Sequence, residues 1–398
     1  MKKKLLYASP FKPLRSGISD YSEVLIYGLG EFFDITLLID NYKLENKKLY
    51  EDFGVLVYKE NKINLSFYDY IIYNVGNNPH YHSYIYECAL KWPGMIILHD
   101  FVLYYLTIAF YRNKETFYSK VYEMEGAAGI NLLKKSIKEG KDLLECKELA
   151  PLLPLNKELI NSNNLIMTHS FYTYDKIAKI IDKKERLRKI NLVELIDDHF
   201  APIAKNLLMN KYRIPDNCLL LSSFGSVAHT KLNHIICEIV DEINSSSDRK
   251  ICYVMVGDGN YVDHKLNDYI IKTGYIDLLE FNSFICHSDL IINMRYPSMG
   301  ETSASLIRIL GLGKPCLVSN DAWFAELPDD LVIKINIDKV RDDLMERIIY
   351  LLDNPGKLFD ISAKTRNYIN ANHSLKQISK DIYEFLQDET YCQTTQIQ

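Results

Sequence analysis

The sequence predicts an α/β protein of two domains, each a parallel β-sheet with helices on both faces. Short apolar runs of strand length alternate with longer stretches of helical periodicity along the chain. Several of these runs end in a glycine-containing loop that leads into a helix, which is typical of open parallel sheets. The chain has 398 residues, too many for one compact core, so two domains of about 200 residues each are expected.

The first half follows this alternation from its start. An apolar run at residues 5–8 predicts the first strand, residues 9–20 form a loop, and residues 21–29 have helical periodicity. Gly17 allows a ligand to approach this loop closely, while Ser19 or Asp20 is expected to cap the helix. Further strands are predicted at 34–39, 70–74, 94–99 and 165–168, with helices at 82–90 and 172–181.

Polar side chains follow three of these strands, at the strand ends where parallel sheets bind ligands. These residues are His99, Asp100, Asn77, His82 and His169. Each is a candidate ligand contact, because a polar group beside a buried strand is costly unless it is paired or used. The alternative is structural, with Asp100 capping the next helix and His99 a satisfied core histidine.

Residues 107–157 lack strand character and predict charged, amphipathic helices inserted into the first domain. Part of this insertion is basic, through Lys134, Lys135, Lys138 and Lys141. It could serve as a lid, a partner surface or a membrane-surface face, although most charge runs are only solvated helix faces.

An irregular stretch from residue 192 to residue 202 separates the two alternating series and is interpreted as the interdomain linker. We therefore place an N-terminal domain at 1–200 and a C-terminal domain at 201–370. Residues 371–398 would form a C-terminal helix that returns to the N-terminal domain, followed by a tail.

The second series begins with a strand at 219–224 and a glycine loop that contains Gly225. Lys231 beside this loop could neutralise a diphosphate, although an ordinary surface lysine is the commoner case. The next strand, at 251–256, ends in Gly257, and a later strand at 290–294 leads into Arg295. Arg295 is the second candidate cation.

Residues 299–305 place glycine, one carboxylate and hydroxyl side chains where an amphipathic helix begins. Backbone N–H groups are unpaired at a helix N-terminus, so a phosphate or a ring of hydroxyls can dock there. Gly300, Thr302 and Ser303 would line this start, and Glu301 would accept hydrogen bonds from hydroxyls. The alternative is a helix that is capped by its own Ser or Thr and binds nothing.

The composition excludes several classes of protein. A net charge of −5 argues against a general nucleic-acid binder, which needs clustered basic side chains. The eight cysteines have neither a C-x-x-C pair nor metal-ligand spacing, as expected for buried thiols in a reducing cytoplasm. The apolar run after the lysine-rich start is too short for a signal peptide or a membrane span.

Taken together and in order, these motifs resemble the bacterial family 4 glycosyltransferases of the GT-B fold, over nearly the whole chain. The motifs that carry the resemblance are Ser9-Pro10 with residues 16–19, Leu98-His99-Asp100, Phe224-Gly225 with Thr230-Lys231, Arg295-Tyr296-Pro297 with residues 300–303, and Gly313-Lys314-Pro315.

The resemblance implies two facing Rossmann-like domains with a C-terminal crossing helix. It also implies a hexosyltransferase that retains anomeric configuration and uses neither a metal nor another cofactor. The C-terminal domain would hold a nucleoside-diphosphate sugar and the N-terminal domain the acceptor. The family's glycine loop maps to Gly17, its sugar-facing histidine to His99 and its phosphate-binding lysine to Lys231.

The implied site has three parts. The catalytic residues would be His99, Lys231 and Glu301. Donor-binding residues would be Gly17, Gly225, Lys231, Gly257, Arg295, Gly300, Glu301, Thr302 and Ser303. Residues on the acceptor or sugar side would be Asp20, Asn77, His82, Asp100 and His169.

The implied acceptor is a glycan, a lipid-linked carrier or another glycoconjugate of cell-surface polysaccharide synthesis. A cytoplasmic protein is expected, with peripheral contact at the inner face of the membrane left open. Two positions depart from the family, since Ser226 stands where an arginine is common and Arg308 where a second glutamate is common. They keep in view a non-catalytic GT-B homologue that binds a glycan or partner as a scaffold. A GT-B sugar-nucleotide epimerase or phosphorylase is a second enzyme alternative, distinguished by its product.

Overall fold

A computed structural model describes residues 2–196, 200–354 and 356–388. Part of the predicted linker (197–199) and of the predicted tail (389–398) lies outside the described residues. The chain forms two compact units. Unit 1 comprises the described residues of Met1–Val193, Met299–Thr302 and His373–Gln398, and unit 2 those of Glu194–Ser298 and Ser303–Asn372.

Unit 1 is built on a parallel sheet with the strand order β3-β2-β1-β4-β5-β6-β7. Its strands are β1 (Lys3–Ala8), β2 (Phe33–Ile39), β3 (Gly54–Val57), β4 (Tyr70–Val75), β5 (Met95–Leu98), β6 (Leu165–Thr168) and β7 (Leu187–Lys189). Every residue of the central strands β4, β5 and β6 is buried, as expected for strands covered on both faces.

The helices of unit 1 cover this sheet. They are α1 (Gly17–Leu29), α2 (Lys48–Asp52), α3 (Pro79–Lys91), α4 (Tyr104–Tyr111), α5 (Phe117–Lys138), α6 (Lys157–Ser162), α7 (Phe171–Ile177) and, from the end of the chain, α15 (Leu375–Leu386). Helix α15 packs on α1, where a Cβ on Gly28 would lie 2.2 Å from Ser379 Oγ, so only glycine allows this approach.

The region predicted as a helical insertion is helical, and α5 is bent within it. Gly126 has φ 67° and ψ −164°, values outside the helical region, and glycine adopts this φ without strain. The Lys134 ammonium lies 5.7 Å from the centre of the Tyr118 ring. In a straight helix these residues would be separated by about 24 Å, so the two halves of α5 fold back on each other at Gly126.

Unit 2 is built on a second parallel sheet with the strand order β10-β9-β8-β11-β12-β13. Its strands are β8 (Leu219–Phe224), β9 (Ile251–Val256), β10 (Ile270–Lys272), β11 (Leu290–Asn293), β12 (Cys316–Ser319) and β13 (Ile333–Ile335). Its helices are α8 (Lys205–Lys211), α9 (Asn233–Ser246), α10 (Leu278–His287), α11 (Ala304–Gly311), α12 (Ala322–Ala325), α13 (Val340–Asp353) and α14 (Gly356–Asn372).

The predicted α/β class, with a parallel Rossmann-like sheet in each half, is confirmed. In both sheets the strand order reverses beside the first strand, and such a switch point opens a crevice at the carboxyl ends of the strands. Among the helices of the described ranges, none is long and apolar enough to cross a bilayer.

Candidate functional site

In unit 2 the loops that follow β8 and β9 meet at the carboxyl edge of the sheet. The Gly225 N–H donates to Val256 O at 3.0 Å, and the Val227 N–H donates to Asp258 O at 2.7 Å. A Cβ on Gly257 would lie 2.0 Å from Gly225 O, so this position requires glycine. The two predicted glycines therefore let two backbone segments approach closely at this edge.

Lys231 is held over the first of these loops. It ends a short 3-10 turn (His229–Lys231), its side chain is only 4% exposed, and its ammonium donates to Phe224 O. A Cβ on Gly225 would lie 2.9 Å from Lys231 Nζ, which places the charge directly beside the glycine. A buried ammonium is costly unless it has partners, and the Phe224 carbonyl oxygen is one of them.

Arg295 follows β11 on the adjacent strand, and its loop is tied to the lysine turn. The Tyr296 N–H donates to Thr230 O at 2.7 Å, while the Arg295 N–H donates to Ser319 Oγ at 2.8 Å. The second bond joins the loop to the end of β12. Both predicted cations, Lys231 and Arg295, thus lie in loops at one edge of the unit 2 sheet.

Helix α11 begins at the same edge, and its first turn is fixed by a hydroxyl cluster. Ser303 is the N-cap and accepts from the Leu306 N–H at 3.2 Å. Asn293, at the end of β11, donates to Ser303 Oγ at 3.2 Å and to Ser305 Oγ at 3.1 Å. The Asn293 Oδ1 atom is buried and has no hydrogen-bond partner among the described residues.

Residues 299–302, just before this helix in the chain, belong to unit 1 and are bonded to its loops. The Val102 N–H donates to Met299 O at 2.9 Å, and Thr173 Oγ1 donates to Gly300 O at 2.8 Å. Gly300 has φ +82°, and a Cβ there would lie 2.4 Å from Phe101 Cβ, so glycine is required. Glu301 Oε2 accepts from the Met299 N–H at 2.7 Å, which orders its own loop. Thr302, the last residue of this segment, is half-buried.

Two histidines of unit 1 are oriented by one asparagine. Asn74 donates from Nδ2 to Ala8 O at 3.4 Å, so its Oδ1 atom is the one that faces His99 Nε2, at 3.1 Å. His99 therefore carries its proton on Nε2 and presents a lone pair on Nδ1. The backbone oxygen of Asn74 lies 3.1 Å from His82 Nδ1, so His82 carries its proton there.

The third predicted histidine of this unit, His169, lies beside His99. The strand register pairs Val75 with Leu98 and Leu98 with Thr168, so the residues that follow these strands are neighbours. The ring centres of His99 and His169 are 5.1 Å apart. His169 Nδ1 lies 3.0 Å from Ile190 O and so carries the proton, while Nε2 is buried without a partner among the described residues.

Burial keeps these imidazoles neutral. Desolvation lowers the pKa of His82 and the pKa of His169 to about 4. In each case a hydrogen bond to a backbone carbonyl raises the pKa and so opposes part of this shift. Desolvation also lowers the pKa of His99 well below its ordinary value, and His169 and His82 add to this shift. Near neutral pH all three present lone pairs rather than positive charge.

Tyr21 completes this group and was missed by the sequence analysis. Its ring centre lies 5.0 Å from that of His99 and 5.5 Å from that of His169, and its hydroxyl is buried without a partner among the described residues. It occupies an apolar position of the predicted helix α1. Its periodic position therefore indicated core packing and gave no sign of a polar role.

The remaining predicted residues of unit 1 have structural contacts. Asp100 Oδ2 accepts from the Asn77 N–H at 2.8 Å. Asn77 Oδ1 in turn accepts from the first-turn N–H groups of Tyr105 and Leu106 at 3.0 and 3.3 Å, so Asn77 caps α4, and the alternative in which Asp100 caps this helix is wrong. The reason is the tertiary contact between the two loops.

The predicted cap of α1 is also wrong. Ser16 is the N-cap and accepts from the Ile18 N–H, Gly17 is the first helical residue, and Ser19 lies inside the helix. Asp20 forms an ion pair with Lys12 at 3.1 Å on the surface. The helix starts earlier than its apolar periodicity because the first turn is partly exposed.

Comparison with solved structures gives near full-length matches at low identity. Anabaena HepE, solved with UDP and glucose, is 12% identical with a TM-score of 0.65, and the match covers 97% of this chain and 99% of HepE. Sucrose-phosphate synthase from Thermosynechococcus elongatus is 12% identical with a TM-score of 0.66, over 97% and 98% of the two chains.

A putative UDP-N-acetylglucosamine 2-epimerase from Listeria monocytogenes is 12% identical with a TM-score of 0.56, over 96% and 95% of the two chains. Neither the protein-family scan nor the search of curated proteins gave a match. The similarity therefore establishes the fold, and this chain adopts the GT-B fold.

Proposed function

We propose that this protein is a glycosyltransferase that moves a sugar from a nucleoside diphosphate to an acceptor hydroxyl. The observation that carries the proposal is the carboxyl edge of the unit 2 sheet. There Lys231 and Arg295 lie in adjacent loops, at the same edge as Gly225, Gly257 and the N-terminus of α11. Cationic side chains and a helix N-terminus are groups that bind phosphate.

The solved structures of similar fold support a nucleotide ligand. HepE was solved with UDP, with UDP-glucose, and with UDP and glucose. In this chain the donor nucleotide would lie at the carboxyl ends of β8, β9 and β11, where open α/β sheets bind ligands. The acceptor would be held by unit 1, as a glycan, a lipid-linked carrier or another glycoconjugate.

The reaction would proceed with retention and without a metal. The bond between the anomeric carbon and the β-phosphate oxygen breaks, a bond from the acceptor oxygen to that carbon forms, and the departing phosphate takes the acceptor proton. Lys231 and Arg295 would stabilise the charge that develops on the phosphate. His99 would orient a sugar hydroxyl, since a neutral imidazole with a strongly lowered pKa is a poor proton acceptor.

A second candidate is a sugar-nucleotide epimerase, favoured by the structural similarity to the putative Listeria enzyme. It is distinguished from a transferase by its product. A transferase releases a nucleoside diphosphate and lengthens an acceptor, whereas an epimerase isomerises the sugar of its substrate without any acceptor. A scaffold that only binds a glycan would yield neither product.

Nucleotide binding gives the first prediction. We expect one nucleotide among UDP, GDP and dTDP, or its sugar conjugate, to raise the thermal stability of the purified protein selectively. A ligand at about 100 times its Kd adds about 2.7 kcal/mol to the stability of the folded state. Differential scanning fluorimetry measures the shift. A flat response to every nucleotide and nucleotide sugar would contradict a donor site at this edge.

Metal removal gives the second prediction. We expect nucleotide release in the presence of acceptor to continue unchanged in EDTA, because Lys231, Arg295 and the start of α11 would supply the positive charge. Glycosyl transfer is followed by assaying the released nucleoside diphosphate. Activity that disappears in EDTA and returns with Mg²⁺ or Mn²⁺ would contradict the metal-free mechanism.

A further inference from the structure

The cysteines of unit 2 include one pair of neighbouring thiols that has no part in the proposed transfer. All seven cysteines of the described ranges are free thiols, and five of them are buried, as expected from the sequence. Cys218 and Cys286 are only half-buried, and Cys392 lies outside the described residues. The Cys252 side chain forms a hydrogen bond with the Cys218 side chain. Cys218 and Cys252 are here called the thiol pair.

The sheet of unit 2 holds the thiol pair together and exposes only one of its members. Cys218 directly precedes β8, and Cys252 lies within the adjacent strand β9, so the pairing of these strands fixes the two residues relative to each other. The Cys218 thiol donates to Pro215 O at 3.0 Å, which leaves its sulfur lone pairs to accept from the Cys252 thiol. Cys252 is fully buried, so a dissolved reagent reaches only the Cys218 sulfur.

Cys218 lines a small cavity beside the amino end of β8, at the end of this strand opposite to the glycine loop. The volume of the cavity is about 110 Å³. One water needs about 10–15 Å³, whereas pockets for drug-sized ligands measure about 300–1,000 Å³, so this cavity admits a molecule of a few heavy atoms. Its walls are partly apolar and partly charged, and they include Met209, Ile214, Leu220, Lys205 and Asp216.

The hydrogen bond from Cys252 favours the thiolate form of Cys218. It lowers the pKa of Cys218 below its ordinary value, and backbone N–H groups act in the same direction, whereas desolvation and the charge of Asp289 oppose the shift. Lys205 and Asp216 on the cavity walls carry opposite charges. Each of the other described cysteines has a raised pKa, through burial or, for Cys252, chiefly through the thiol pair itself. Among the described thiols, Cys218 is therefore the one best suited to act as a nucleophile.

We propose that Cys218 is a modification site at which small hydroperoxides oxidise the thiol to a sulfenic acid. The sulfur attacks one peroxide oxygen, so an S–O bond forms and the O–O bond breaks. The other oxygen takes the thiol proton and leaves as water or an alcohol, and the two electrons that the sulfur loses pass to the peroxide. Cys252 is a positioning residue that donates to the reacting sulfur. The six residues of β8, about 20 Å of chain, separate Cys218 from the loop of Gly225, so this inference does not depend on the proposed function.

The oxidised residue is identified by treating the purified full-length protein with hydrogen peroxide and dimedone, which traps sulfenic acids, followed by peptide mass spectrometry. Cys218 should be labelled about tenfold faster than Cys286, which is also half-buried in unit 2 but has a raised pKa. Oxidation of Met209 in the cavity wall does not interfere, because a methionine sulfoxide does not react with dimedone. Equal labelling of Cys218 and Cys286, or none at Cys218, would overturn the proposal.

Two substitutions of Cys252 separate its hydrogen bond from its packing. Cys252→Ala should slow the labelling of Cys218 about threefold to tenfold, since the thiolate loses one donor while its nucleophilicity rises with its pKa. Cys252→Ser should react like the wild type, because the hydroxyl still donates. The pH profile of Cys218 alkylation by iodoacetamide should move to higher pH in Cys252→Ala alone. The buried Cys237 reports on the fold, since it stays unlabelled while unit 2 is intact. Equal rates in wild type and Cys252→Ala would remove Cys252 from the site.

The size of the oxidant gives a further test of the cavity. Hydrogen peroxide should oxidise Cys218, whereas oxidised glutathione, a much larger oxidant, should leave it unmodified. Glutathione attached to Cys218 as fast as dimedone labels it would overturn the role of the cavity. A disulfide between Cys218 and Cys252 would support the proposal, because it forms when the sulfenic acid condenses with the second thiol and releases water. In that case the dimedone adduct should be recovered in Cys252→Ser, which cannot form the disulfide.

Discussion

Replacement of Lys231 by methionine is expected to lower kcat/KM for glycosyl transfer by about 100- to 1,000-fold, as for the loss of a preorganised charge-stabilising donor. The ammonium is fixed beside Gly225 and over Phe224 O, so it needs no reorganisation when negative charge develops on a leaving phosphate. The charge is also buried, and the low local dielectric strengthens its interaction with a phosphate.

Methionine is the appropriate replacement because it keeps most of the methylene packing that alanine would remove. The loss should appear mainly in kcat, since the charge on the phosphate is largest in the transition state. Steady-state assays of nucleoside diphosphate release, with urea unfolding of the same variant, separate catalysis from stability.

Lys265 offers a matched control for this substitution. It also ends a 3-10 turn of unit 2 (Asp263–Lys265), and its ammonium pairs with Glu238 at 2.9 Å on the surface. Lys265→Met should leave kcat/KM unchanged, because surface ion pairs contribute little. A Lys231→Met enzyme that is stably folded and as active as Lys265→Met would remove Lys231 from the proposed site.

The sequence was sufficient to predict the central strands of both sheets but not the edge strands. The strands predicted from apolar runs include the central ones of each sheet, such as β4 and β9, whose residues are all buried. The strands that sequence analysis did not identify are β3, β7, β10 and β13, which lie at the four edges. These strands are three or four residues long and partly exposed, so they lack a continuous apolar run.

The residues of the candidate site likewise differ in whether the sequence predicts their positions. Strand ends are local features, so Lys231, Arg295, His99 and His169 could be located from the pattern of strand, loop and helix. The position of residues 299–302 could not be predicted from this pattern, because it depends on hydrogen bonds to Val102 and Thr173, which are far away in the sequence. The buried hydroxyl of Tyr21, which has no hydrogen-bond partner among the described residues, likewise could be recognised only from the structure.

Acidification should destabilise unit 1 strongly between pH 6.5 and pH 4. Burial lowers the pKa of His82, His169 and His373 to about 4, whereas an unfolded chain has histidine pKa values near 6.5. In this range the unfolded state binds more protons than the folded state, so the free energy of unfolding rises with pH and falls on acidification. The lowered pKa of His99 acts in the same direction.

The magnitude is large relative to the stability of a domain. At pH 5 each histidine with a folded pKa of about 4 lowers the free energy of unfolding by about 2 kcal/mol relative to neutral pH. Three such groups approach the total stability of many domains, which is about 5–15 kcal/mol. The choice of pH 5 keeps ordinary aspartates and glutamates ionised, so the histidines dominate the change.

The two tryptophans allow each unit to be followed separately, because Trp92 belongs to unit 1 and Trp323 to unit 2. In a Trp323→Phe background, urea titrations at pH 7.5 and pH 5 report the unfolding of unit 1 through Trp92. His373→Gln should reduce the difference between the two pH values by about 2 kcal/mol, since it removes one of the buried titrating groups. An unfolding free energy for unit 1 that is the same at both pH values would show that these histidines are already solvated in the folded state, and the neutral lone pairs inferred for His82, His99 and His169 would lose their physical basis.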